Sequence, residues 1–131
     1  MPSHTIDVNF KGFLNICQSV VQLNLAPHIF HASTSEMFGQ ADHHALSLGE
    51  SMNESFPFNP ASPYAVSKIA SYYLVRYYRT VYKLKVSTAI SFNHESPLRN
   101  ESFITRKITR GAARLKRYKD MESLKLGNLY A

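Results

Sequence analysis

Two short apolar runs, His28-Ile29-Phe30-His31-Ala32-Ser33 and Lys85-Val86-Ser87-Thr88-Ala89-Ile90-Ser91-Phe92, flank a long stretch with helical spacing. This alternation restricts the fold more than any other feature of the chain. The first run is too short for a helix and suits a buried parallel strand that ends at a site. The second is rich in β-branched residues and reads as another strand. Between them Ala65, Val66, Ile69, Ala70, Tyr73, Leu74, Tyr77, Tyr78 and Val81 recur at helical spacing. Ser62 is a good N-cap and Pro63 suits the first helical position, so a helix of about 30 Å is predicted from there to near Lys83. A second helical pattern covers 5–24 and is stopped by Asn24 and Pro27, with Gly12 inside it predicting close packing against a neighbour. A third covers 102–119, with Ile104, Ile108, Ala112 and Leu115 as its apolar stripe, and 123–128 reads as a short strand and turn. The order helix, strand, helix, strand, helix, strand predicts an α/β fold with a parallel sheet and right-handed crossovers. Ligands of such sheets bind beyond the carboxyl ends of the strands.

The 131 residues fit one domain. No apolar run reaches the roughly 18 residues of a membrane span, and the N-terminus lacks the apolar core of a signal peptide. Cys17 is the single cysteine and falls in a helical apolar pattern, so it reads as a small core residue in a reducing, cytoplasmic setting. The net charge of +6 is concentrated. From position 99 to 119, Arg99, Arg106, Lys107, Arg110, Arg114, Lys116, Arg117 and Lys119 are opposed by Glu101 alone. Such a face suits an anionic partner, either nucleic acid or the phosphates of a nucleotide. It carries no aromatic-interleaved stripe and no recognised nucleic-acid motif, which argues against nucleic acid.

Tyr64 and Lys68 stand four residues apart at the start of the central helix, hence on one face about a turn apart. A phenol beside an ammonium is a proton-transfer unit, because a nearby positive charge favours the phenolate. Two polar clusters, 33–36 and 93–96, follow the two strands, so the alternating fold gathers them with Tyr64 at one edge. The segment 39–61 has no periodicity and is a long loop of the kind that is often functional. Asp42, His43 and His44 lie in it, without a third ligand at a spacing zinc sites use, and no metal is expected. Tyr72, Tyr73, Tyr77, Tyr78 and Tyr82 read as packing and interface residues.

Ala32-Ser33-Thr34-Ser35-Glu36, Ser62-Pro63-Tyr64-Ala65, Phe92-Asn93-His94-Glu95-Ser96-Pro97, Ile104-Thr105-Arg106-Lys107-Ile108 and Leu126-Gly127-Asn128-Leu129 occur in this order. Together they resemble the GDP-mannose 4,6-dehydratase family of the extended short-chain dehydrogenase/reductase superfamily. The resemblance implies a partial Rossmann-like, doubly wound parallel sheet, with about three strands and three helices of the full fold. It implies a carbon-oxygen lyase that converts GDP-mannose to GDP-4-keto-6-deoxy-mannose, on the way to GDP-fucose and other deoxyhexoses, by internal hydride transfer through NADP, with NAD the alternative. By the same resemblance Tyr64 takes the proton from the sugar O4 and Lys68 assists it and holds the nicotinamide ribose. Thr34 hydrogen-bonds O4, and Glu36 removes the C5 proton. His94 and Arg99 lie against the cofactor, and Asn93 and Lys107 against the substrate. A homo-oligomer is implied for the whole enzyme.

The chain departs from the family in two ways. The loop between Glu36 and Tyr64 is longer than usual, and there is no G-x-x-G-x-x-G turn, which elsewhere lets backbone amides approach a pyrophosphate. Residues 1–131 are therefore expected to form an incomplete NAD(P)-binding Rossmann-like domain. The N-terminal glycine-rich half and the C-terminal substrate domain are expected to lie outside it, and the isolated chain is expected to be inactive. The alternative is a truncated, non-catalytic paralogue that pairs with an intact dehydratase subunit through the tyrosine-rich helix.

Overall fold

The computed structural model describes residues 1–39, 52–118 and 123–127. The chain divides into two units, Met1–Asn93 and His94–Ala131, each described by itself. The first opens with α1 (Pro2–Ile6), a π-helical segment (Asp7–Lys11) and α2 (Gly12–Gln22). Then follow β1 (His28–Thr34), a short 3-10 turn (Ser35–Phe38), α3 (Pro63–Val81) and β2 (Lys85–Ser91). The second unit contains α4 (Ile104–Tyr118).

Strands β1 and β2 pair in parallel, with His28 opposite Lys85 and Thr34 opposite Ser91. The architecture is the expected α/β one, with α3 as the crossover between neighbouring parallel strands. Helix α3 starts where its sequence predicts. Ser62 is extended (φ −144°, ψ 155°), its hydroxyl accepts the Ala65 amide at 3.0 Å, and Pro63 follows. Lys83, in the left-handed region at φ 55°, stands just beyond the helix end. Ala65, Ser67, Ser71, Val75 and Tyr78 form its buried stripe. Phe13 and Cys17 of α2 meet Val75, Tyr78 and Val86 in the core. Each large apolar side chain buried there stabilises the fold by about 1.5–3 kcal/mol. Cys17 is fully buried in this cluster, and burial raises its thiol pKa.

Four local expectations change. The helical pattern over 5–24 is not one α-helix, because Asp7–Lys11 is wound as a π-segment. Gly12 closes that segment, and a Cβ there would meet nothing nearer than Asp7 O at 3.9 Å, so it is not a close-packing glycine. Second, the strands are not buried on both faces. Ile29, His31 and Ser33 face the helices, whereas Phe30 is 71% exposed. The reason is that α2 and α3 share one core and so cover the same face. Third, residues 123–127 form no strand; among the described residues they have no ladder partner, and Leu124 instead sits over Gly111 of α4. Among the described residues the sheet thus has two strands where about three were expected. Fourth, the apolar stripe of α4 is largely open, with Ile104 and Ile108 exposed and Gly111 buried.

Gly39 is the glycine that backbone geometry demands. Its φ is +61°, and a Cβ there would collide with the Asn59 carbonyl oxygen. Asn59 N–H donates to Met37 O at 3.0 Å, which draws residues 57–60 across the end of β1 just before α3 begins.

Candidate functional site

The carboxyl end of β1 carries the site. Thr34 is still extended (φ −149°, ψ 146°), and its hydroxyl accepts the Glu36 amide at 3.3 Å as the chain enters the 3-10 turn. A hydroxyl used as an acceptor keeps its own proton free to donate. Ser33 points inward, 5% exposed, with its hydroxyl on Met37 Sδ at 3.1 Å. Thr34 and Ser35 are therefore half-buried at the surface of the turn and Glu36 is exposed; among the described residues Glu36 forms no ion pair.

Tyr64 is the second residue of α3, and Lys68 lies one turn later. The Lys68 ammonium is 5.7 Å from the Tyr64 ring centroid and donates to the Ala32 carbonyl at 2.9 Å. This contact ties the amino end of α3 to β1 two residues before Thr34. Both side chains are half-buried, and desolvation lowers the Lys68 pKa. An ammonium has three protons to donate, and Ala32 takes one of them. A partly buried cation with spare donors and a neighbouring phenol can hold a pair of vicinal hydroxyls, or favour the phenolate.

Thr34, Glu36, Tyr64 and Lys68 thus gather at one strand end. Asn93 leaves the same end, two residues after Ser91, which is the register partner of Thr34. His94, Arg99 and Lys107 belong to the second unit. There the Arg99 guanidinium lies 3.7 Å from the Phe103 ring centroid and 3.7 Å from Glu95. Glu95, Ser96, Pro97, Thr105, Arg106 and Thr109 line a cavity of about 330 Å³ in that unit, and Lys107 is exposed on α4. Asp42, His43 and His44 lie outside the described residues.

Sequence reasoning missed three participants. Ala32 acts through its carbonyl, which has no side-chain signature. His31 is 6% exposed, with Nδ1 3.0 Å from Thr88 Oγ1, and neither residue stands in a polar cluster. The strand alternation was the available signal, since it places His31 on the inward face with Ile29 and Ser33.

The profile of the family described as GDP-mannose 4,6 dehydratase matches residues 1–131. The GDP-mannose 4,6-dehydratase of Sinorhizobium fredii is 42% identical over 132 residues, covering 99% of this chain and 36% of that protein. The structure of RMD from Pseudomonas aeruginosa complexed with NADPH superposes with a TM-score of 0.80 at 30% identity, covering 88% of this chain and 38% of that one. The dTDP-glucose 4,6-dehydratase DesIV from Streptomyces venezuelae, with NAD bound, gives a TM-score of 0.71 at 27% identity, covering 82% and 31%. The chain spans about a third of the length of the relatives it matches.

Proposed function

The chain belongs to the GDP-mannose 4,6 dehydratase family, and from that premise we propose that it carries the catalytic middle part of an enzyme converting GDP-mannose to GDP-4-keto-6-deoxy-mannose. Residues 1–131 are read as part of one incomplete NAD(P)-binding Rossmann-like domain in the cytoplasm. The observation that carries the proposal is the Lys68 ammonium, seated on Ala32 O at 2.9 Å and one turn from Tyr64, at the strand end where Thr34 and Glu36 follow.

Tyr64 as phenolate removes the O4 proton of the sugar, and Lys68 stabilises that phenolate. Thr34 hydrogen-bonds O4 and relays the O4 proton towards Tyr64. Glu36 takes the C5 proton, made acidic by a neighbouring ketone, and passes it to the C6 hydroxyl as the C6–O bond breaks, so that water leaves. The proton removed from O4 returns to C5 when hydride reaches C6. A bound nicotinamide cofactor supplies the acceptor for the C4 hydride and its donor to C6. The spare protons of Lys68 fit the nicotinamide ribose, whereas the chain has no glycine-rich turn for the pyrophosphate. NADP is the proposed cofactor, in keeping with the NADPH held by RMD, and the NAD of DesIV marks the alternative. Asn93 and Lys107 contact the substrate, and His94 and Arg99 the cofactor.

Two experiments test this reading. The 131-residue chain, incubated with GDP-mannose and NADP, is expected to give no 4-keto product, and clear turnover would show that the cofactor site is complete without a glycine-rich turn. Exchanged for the matching segment of the Sinorhizobium fredii enzyme, the chain is expected to support turnover. Tyr64→Phe should then reduce it by at least about 100-fold. A Tyr64→Phe chimera of unchanged rate would end the proposal.

A second reading has its own support. Val66, Tyr73, Tyr77 and Val81 make an exposed apolar stripe along α3, each 46–54% exposed. Such a stripe suits a second copy of this chain, as in a homo-oligomer, or an intact dehydratase subunit paired with a non-catalytic paralogue. Co-purification with an intact subunit supports pairing, and a monomer in sedimentation, with or without that subunit, argues against it.

A further inference from the structure

The seat of the Lys68 ammonium is a main-chain carbonyl, so whatever orients the Ala32 peptide orients the cation. The preceding residue, His31, is fixed by both its main chain and its ring. Thr88 stands opposite His31 in the register. Its hydroxyl donates to the His31 carbonyl at 3.1 Å, and His31 Nδ1 lies 3.0 Å from the same oxygen. A hydroxyl has one proton to give. Both contacts are satisfied together only when His31 carries its own proton on Nδ1 and donates it to Thr88. A neutral ring that does so leaves Nε2 unprotonated, whereas a charged ring would carry a proton on both nitrogens.

The surroundings favour that neutral state. The ring is 6% exposed and packs on Phe13 of α2, with ring centroids 4.4 Å apart. Thr88 faces it from β2, and the charge that reaches it is Lys68 of α3. Burial first, and Lys68 second, push the His31 pKa down to about 4. A protonated ring would set a like charge near Lys68, and it would do so on a buried imidazole.

We propose that His31 is a positioning residue, a neutral Nδ1–H imidazole clamped to Thr88 that holds the Ala32 carbonyl where it seats the Lys68 ammonium. The role of Lys68 in dehydration rests on the reading above; its seat does not. Glutamine can give Thr88 the same hydrogen bond without a titratable charge, whereas leucine cannot. A Lys68 released from its seat turns to water and loses the desolvation that lowers its pKa.

The full 131-residue chain, labelled at histidine and lysine and free of cofactor, tests this by nuclear magnetic resonance. Long-range proton–nitrogen spectra at pH 7 are expected to show His31 as the neutral Nδ1–H tautomer. An Nε2–H tautomer or a charged ring overturns the proposal before any variant is made. The Lys68 side-chain signal, identified by its loss in Lys68→Arg, is expected to titrate below the exposed lysines in the wild type and in His31→Gln. In Thr88→Val and His31→Leu it should move up by about half a pH unit or more. Folded variants of either kind with a wild-type Lys68 titration sink the proposal, as does His31→Gln shifting Lys68 as far as His31→Leu does. If the leucine variant fails to fold, Thr88→Val decides. Because no activity is read, failure here leaves the dehydratase reading standing, and an inactive chimera leaves the His31 result standing.

Discussion

In the unit Met1–Asn93 the important side chains are held by partners remote in sequence, whereas in His94–Ala131 they are held by near neighbours. Lys68 reaches Ala32, 36 positions away, and His31 meets Thr88, 57 positions away. In the second unit Arg99 pairs with Glu95 four residues before it, the Ser102 amide and hydroxyl both bind Asn100, and Arg110 pairs with Glu101. The first pattern requires a packed core, because only tertiary folding brings such residues together. The second is satisfied by a helix and the turns leading into it. Lys68 is therefore fixed by the core, whereas the exposed Arg110–Glu101 pair responds mainly to solvent and salt.

The sharpest way to break this comparison is to open the core of the first unit. Phe13→Ala removes the ring that packs on His31 and on the cluster of Cys17, Val75, Tyr78 and Val86. A loss of about 3–5 kcal/mol is expected. Urea unfolding followed by circular dichroism measures it, and a loss under about 1 kcal/mol would mean the cluster does not govern stability.

Acid acts on the same unit almost as strongly. The folded chain holds His31 near pKa 4 against an ordinary 6.5, so below pH 6.5 the unfolded chain takes up a proton that the folded chain refuses. The contribution of His31 is complete above pH 6.5 and is lost as the pH falls to about 4. Its full size is about 3 kcal/mol. His31→Gln should remove that part of the slope between pH 6.5 and 4 in urea midpoints, and an unchanged slope would assign the acid sensitivity to other groups.

The smallest effect is expected in the second unit. Glu101→Gln breaks the exposed pair with Arg110. The change in stability should stay below about 1 kcal/mol and fade in high salt. A larger, salt-insensitive loss would show that the local contacts around α4 are as firmly set as the core of the first unit.

Much of the first unit was legible because its signals are local. Ser62 and Pro63 announced the start of α3, and the run from Lys85 to Phe92 marked a strand that ends one residue earlier, at Ser91. The spacing of Tyr64 and Lys68 placed both on one face. Thr34 and Glu36 were legible as a polar pair after a strand. The expected third strand failed for a physical reason: a strand exists only where a neighbour offers a ladder, and an alternating apolar pattern such as Leu124 and Leu126 cannot supply one. The run Ile104, Ile108 was periodic, yet periodicity states which residues share a face and not what covers that face.

By itself the amino-acid sequence determined the α/β order, the Ser62 cap and approximate span of α3, the two strands beside it, and the juxtaposition of Tyr64 with Lys68, since all of these follow from backbone propensity and the 3.6-residue period. Only the tertiary structure decided that Asp7–Lys11 winds as a π-segment and that both helices cover one face of the sheet. It alone seated Lys68 on Ala32 and set a buried histidine beside it. Those outcomes depend on carbonyl direction, on register between strands and on which side chains exclude water, and none of these is written in the spacing of residues along the chain.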